Sequence, residues 1–145
     1  LINPIINYCD FFQINHSLYY NNLPCDIILL MKFTKQNIKD IPVEAAHGGS
    51  GSRQMLVSTD KLTSRYFEAI TKAFLEVGKI FDWHEHNDID EVYIVLKGIG
   101  KFYCNNEVVD YQVGDVITIP ANTKHKIEAL GNETNEYYFF RIKCK

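Results

Sequence analysis

His84 and His86 stand two positions apart, and Glu91 follows the second by five, within "GKIFDWHEHNDIDEVYIVLKG" (Gly78 to Gly98). Imidazole nitrogens and a carboxylate oxygen are the donor set of a divalent transition-metal site. In an extended strand, residues two apart project to the same face, so His84 and His86 point together while Glu85 points away. A turn over residues 87–90 lets the chain double back, with Glu91 opening the next strand beside both imidazoles. Three donors are thus expected from one hairpin, as the two-His, one-carboxylate face that leaves positions on the ion open. Further on, "GDVITIPANTKH" ends a strand at Pro120 and turns through residues 121–124 to His125. His125 is expected as a fourth ligand, arriving from the opposite side of a barrel. An isolated His-x-His is a weak signal, because a strand histidine is ordinarily a partly buried polar residue. The joint pattern carries the weight.

The elements that must position these residues are mostly strands. After Gly78 the chain breaks into short runs rich in Val, Ile, Tyr and Phe, such as "EVYIVLKG", "GKFYC" and "EYYFFRIK". Gly, Asn and Asp punctuate them every eight to twelve residues, the spacing of a sandwich or barrel. "RQMLVST" (53–59) reads as a further strand. Residues 44–54, with Gly48, Gly49 and Gly51, read as a loop. "LTSRYFEAITKAFLEVG" is ambiguous: its composition fits an amphipathic helix, and its alternation fits a strand ending at Gly78.

Bulk properties exclude several classes. The 145 residues suit one domain, 46% hydrophobic and 23% charged, with a net charge of only -3. No basic stripe points to nucleic acid. The longest apolar run, residues 27–31, is far too short to cross a membrane. Cys9, Cys25, Cys104 and Cys144 are scattered without a Cys-x-x-Cys pair. They read as free thiols of a reducing compartment, and the expected location is cytoplasmic. The chain starts at Leu1, its first methionine is Met31, and residues 1–30 hold no Lys or Arg. Those residues are either a genuine Asn- and Tyr-rich arm or translated upstream sequence with Met31 as the natural start. The second reading is preferred; a chain of 31–145 is then expected to fold and bind metal by itself.

The two stretches resemble the paired motifs of the cupin superfamily. Gly78, His84, His86, Glu91 and Gly98 match the fixed positions of the first motif. Gly114, Pro120 and His125 match the second, in which Asn122 replaces a glycine and Ala129 replaces an asparagine. Asn tolerates left-handed backbone, so the turn at Asn122 is expected to survive. The resemblance covers roughly residues 65–143. It implies an all-β double-stranded β-helix, a jelly-roll barrel over about 53–143, within one domain of 31–145. It turns "YFEAITKAFLEVG" into strand, and it implies one divalent ion (Fe, Mn, Ni, Cu or Zn) held by His84, His86, Glu91 and His125. "HGGSG" (47–51) looks like a loop that precedes the barrel in some members.

Parity with Glu91 places Tyr93 and Val95 inside. Tyr93 is the candidate catalytic residue, as a hydrogen-bond donor to substrate; the competing reading is a core tyrosine with a satisfied hydroxyl. Of Phe102 and Tyr103, parity does not say which faces in. Trp83 is assigned to the core or a dimer interface, Asp82 to a solvated edge, and Cys104 to strand packing. His47 is assigned to a solvated loop or the pocket mouth, and Lys97 and Lys101 to solvent. An Arg or Lys inside the pocket would favour an anionic substrate. The expected function is a metalloenzyme acting on a small polar molecule such as a sugar or oxygenated acid, of isomerase, epimerase or dioxygenase type. The alternative is a non-catalytic, metal-dependent binding module. Large side chains on both faces of "EYYFFRIK" point to a homodimer.

Overall fold

In the computed structural model, which describes residues 33–145, the segment that is locally ambiguous is a strand, Phe67–Leu75, as the resemblance implies. Ala69, Thr71, Ala73 and Leu75 are buried and the residues between them are not. This period of two overrides local helix propensity because strands pair with it on both sides.

Among the described residues there are ten strands and no α-helix. They are β1 (Glu44–Ala46), β2 (Gly51–Ser58), β3 (Phe67–Leu75), β4 (Ile80–His84) and β5 (Ile89–Lys97), followed by β6 (Ile99–Cys104), β7 (Glu107–Tyr111), β8 (Val116–Ile119), β9 (His125–Leu130) and β10 (Asn135–Lys143). One sheet has the order β1-β2-β3-β10-β5-β8 and the other β4-β9-β6-β7, with all pairings antiparallel. The two sheets form a double-stranded β-helix around a core that includes Leu75, Phe81, Tyr93, Val95, Phe102, Ile127 and Tyr137. Full burial of each large apolar side chain contributes roughly 1.5–3 kcal/mol. Cys104 packs against this core, and Cys104 and Cys144 are free thiols. No helix among the described residues is long and apolar enough to cross a membrane.

The structure corrects the loop expected at residues 44–54. β1 and β2 pair there, with Glu44 opposite Arg53 and Ala46 opposite Gly51. Left-handed backbone is confined to His47, Gly48 and Gly49, so the glycines mark a tight turn and not a long loop. Gly51 belongs to β2, where a Cβ would lie 2.3 Å from the Phe81 ring. The paired strands therefore begin at Glu44, ahead of the expected start at residue 53. Residues 1–30, and with them the expectation about Met31 as the natural start, lie outside the described residues.

Candidate metal centre

Three strands bring the four expected ligands together. His84 ends β4, and His86 lies two residues past it in the crossing to the other sheet. His125 opens β9, and Glu91 is the third residue of β5. One donor atom from each of the four lies within 4.8 Å of the others. Donors about 2.0–2.2 Å from a common ion span similar distances.

Two details of the expected route are corrected. β4 and β5 do not form a hairpin: β4 pairs with β9 in one sheet, and β5 pairs with β10 and β8 in the other. Residues 85–88 cross between sheets, so Glu91 faces the histidines across the barrel. His125 does not come from the opposite side. It is the direct cross-strand partner of His84. Sequence spacing carries no information on sheet membership, and both errors follow from that.

Backbone carbonyls orient two of the rings. His84 Nδ1 lies 2.7 Å from the Asp82 carbonyl, and His125 Nδ1 lies 2.8 Å from the Thr123 carbonyl. A carbonyl only accepts, so each Nδ1 donates and each Nε2 is left as a lone pair aimed inward. The Nε2 atoms of His84, His86 and His125 are buried without a hydrogen-bond partner. Leaving a buried acceptor unsatisfied costs about 1–3 kcal/mol, and three converging on one carboxylate is not a packing arrangement that a barrel needs. The donor set and its orphaned lone pairs fit a divalent transition ion. The segments leading to the candidate ligands are tied together, since Asn122 N donates to the His86 carbonyl at 2.7 Å. Asn122 has φ 60°, the left-handed turn expected of it.

Residues 73–140 match the family described as Cupin domain. An uncharacterized protein of Methanocaldococcus jannaschii is 30% identical over 105 residues, covering 72% of this chain and 82% of that protein. The chain belongs to the cupin superfamily. An oxalate-binding protein of Thermotoga maritima is 29% identical over 92 residues, 62% of this cupin and 75% of that protein. A crystal structure of a Thermotoga maritima protein described as a predicted oxalate decarboxylase superposes with a TM-score of 0.70. It is 23% identical and covers 76% of this cupin and 99% of that chain, a likeness that shows the fold alone.

Around the ligands, this cupin commits its polar groups to the carboxylate. Burial alone would raise the Glu91 carboxyl pKa; hydrogen bonds from His125 and His86, made only when Nε2 carries a proton in place of an ion, together with the Arg141 charge more than offset it and hold Glu91 well below the usual carboxylate range. Glu91 lies 3.3 Å from His86 Nε2 and 3.4 Å from His125 Nε2. Tyr93, 1% exposed, donates to Glu91 Oε2 at 2.9 Å. Burial, and then the Glu91 charge, push the Tyr93 hydroxyl well above its usual value, so it stays a donor. Burial lowers the His84 pKa, opposed by the Asp82 carbonyl and reinforced by His125 and His86.

The remaining sequence assignments sort themselves by face. Phe102 is the inward residue of its pair and stacks near-parallel to His125. Tyr103 points out and donates to Glu128 Oε2 at 2.6 Å. Trp83 is not in the core: it is 39% exposed on the outer face, beside Lys124 and Lys126. Asp82 is exposed, and its carboxylate accepts from Trp83 N. Lys97 and Lys101 face solvent, paired with Glu133 and Asp110.

Two residues near the site were given no firm place by the sequence. His47, on the turn between β1 and β2, stacks on Phe81 with ring centroids 4.3 Å apart and lies 4.9 Å from the His84 ring. Nothing local to "HGG" says that the turn folds over Phe81. Arg141 on β10 is the cross-strand partner of Glu91, with Nη1 3.3 Å from Glu91 Oε1 and Nε 3.2 Å from Glu68 Oε2. Its signal was available: Arg141 shares parity with Asn135, Tyr137 and Phe139, all inward.

Proposed function

We propose that this cupin holds one divalent transition-metal ion on His84, His86, Glu91 and His125 and acts there on a small, oxygen-bearing molecule. The observation that carries the proposal is the set of three buried imidazole Nε2 atoms without hydrogen-bond partners, those of His84 and His125 oriented as lone pairs by their backbone contacts, gathered with one carboxylate. The chemistry such an ion supplies is Lewis acidity toward substrate oxygens, or O₂ chemistry where it is iron. The chain's own residues set the stage for it. The carbonyls of Asp82 and Thr123 fix the tautomers of His84 and His125. Tyr93 holds one oxygen of Glu91, and Phe81 and Phe102 exclude water from the inner side. Elemental analysis of the purified chain, before and after chelation and reloading, tests the reading. About one ion per chain is expected, with a higher melting temperature when loaded; no ion in any preparation would refute it.

A second reading, binding without turnover, has its own support. The Tyr93 hydroxyl, the candidate catalytic donor, is committed to Glu91 and is not presented to a substrate. The relative in Thermotoga maritima is named for oxalate binding, which makes oxalate the natural first probe. Incubating metal-loaded chain with oxalate under air separates the readings. Product by NMR favours the enzyme, and saturable binding with intact oxalate favours the module.

Self-association is proposed on the outer face of the larger sheet, with a second copy as the occupant. Ile70, Phe74, Ile94, Tyr138 and Phe140 alternate there with the buried residues of β3, β5 and β10, and Val116 on β8 is 62% exposed. At about 3.3 Å per residue and 4.8 Å between strands, β2, β3, β10, β5 and β8 present roughly 600 Å² before side-chain relief. That approaches the roughly 800 Å² per partner of a standard interface. Light scattering at micromolar concentration should return a dimer; a monomer would contradict it.

A further inference from the structure

The guanidinium of Arg141 touches the one carboxylate among the proposed ligands, and part of it is uncommitted. Of its five N–H donors, Nε bonds Glu68 at 3.2 Å and Nη1 leans on Glu91 at 3.3 Å. Nη2 has no partner among the described residues. Among the described residues no other Arg or Lys contacts Glu91. The Arg141 side chain is 24% exposed, while its contact, Glu91, is 3% exposed.

Charge counting then constrains what enters. Ligating imidazoles are neutral. Glu91 cancels one of the two charges on a divalent ion, and Glu68 cancels that of Arg141 at the rim. A loaded site is left with about one uncompensated positive charge in a partly buried pocket, where an unpaired charge is costly. A neutral ligand leaves that cost in place, and an anion removes it.

We infer that Arg141 is the specificity-determining residue of this site, and that it selects small organic anions bearing a carboxylate. The inference rests on the metal-bearing site proposed above and names its substrate class. A planar carboxylate matches the guanidinium fork. Because Nη1 lies 3.3 Å from a proposed ligand atom, a carboxylate bound at the ion has the fork within reach. Neutral sugars and alcohols gain nothing from it. No proton or electron moves in this step; Arg141 binds and orients.

The test uses the full chain loaded with Mn(II), titrated calorimetrically with oxalate and with oxamide, its uncharged diamide. Parent, Arg141→Gln and Arg141→Lys are compared, with metal content and circular dichroism measured for each. The parent should bind oxalate at least tenfold more tightly than oxamide. Arg141→Gln should erase that preference at unchanged metal content, and Arg141→Lys should keep part of it, since the charge remains and the fork is lost. Equal preference in the parent and in Arg141→Gln would overturn the inference. Were Arg141 only a prop for Glu91, metal affinity would fall in both variants with the oxalate-to-oxamide ratio unmoved, which also overturns it. A parent that binds metal but neither probe, or both probes alike, sinks the selection by Arg141 and leaves the metal site standing. A parent that takes up no metal sinks both.

Discussion

The two ends of the barrel interior both bury polar side chains, and they use them in opposite ways. Along β10 the inward residues run Asn135, Tyr137, Phe139 and Arg141, so one strand connects the two ends. At the Asn135 end the polar groups bind one another. Asn135 donates to Tyr111 Oη and to the Ile99 carbonyl, both at 2.7 Å, and the hydroxyls of Tyr111 and Tyr137 lie 2.5 Å apart. Burial pushes both tyrosine pKa values up, so they remain protonated donors. One acceptor there, Asn135 Oδ1, lacks a donor. At the Arg141 end, three imidazole nitrogens lack any hydrogen-bond partner and gather around a single carboxylate. Polar groups that satisfy each other close a fold, whereas lone pairs left facing a common point await something from outside.

Breaking the open end should produce the largest effect. His86→Ala removes one nitrogen donor and should lower metal affinity more than about a hundredfold, while circular dichroism stays that of the parent. Equal metal stoichiometry in parent and variant would end the distinction between the ends. Glu85→Ala, one residue away and exposed, should leave metal content unchanged.

Breaking the closed end should cost folding and spare the metal. Gly98 has φ 85°, and a Cβ there would lie 1.8 Å from Asn135 Oδ1. Gly98→Ala should therefore lose about 3 kcal/mol in urea unfolding, through both backbone strain and overpacking. Asn135→Ala strands the Ile99 carbonyl and takes a donor from Tyr111, for about 2 kcal/mol. In both, metal per folded chain should match the parent; a drop to the level of His86→Ala would mean that the ends are coupled.

The smallest effect belongs to the residue between them. Tyr93→Phe removes one bond to Glu91 and should cost about 1 kcal/mol in stability. Metal affinity should fall about tenfold, as for other groups that orient a ligand. Unchanged metal affinity would make Tyr93 a core residue with a satisfied hydroxyl and nothing more.

Much of this was legible in the chain. His84, His86, Glu91 and His125 were found by donor chemistry and by motif spacing, and the inward side of β5 by a period of two. These are local properties, set by the geometry of an extended backbone and by the coordination chemistry of side chains. Gly98 and Asn122 announced turns for the same reason, since left-handed backbone selects its residues locally. The tertiary structure decided which strands became neighbours. It set His125 beside His84 and carried Glu91 to the facing sheet. It folded His47 over Phe81 and brought Arg141 against Glu91. Pairing across a sheet joins residues far apart in sequence, and its free energy comes from burial and hydrogen bonds shared with a partner strand. No window of the chain contains both partners, so only the folded barrel could place the charge that stands beside the candidate ligands.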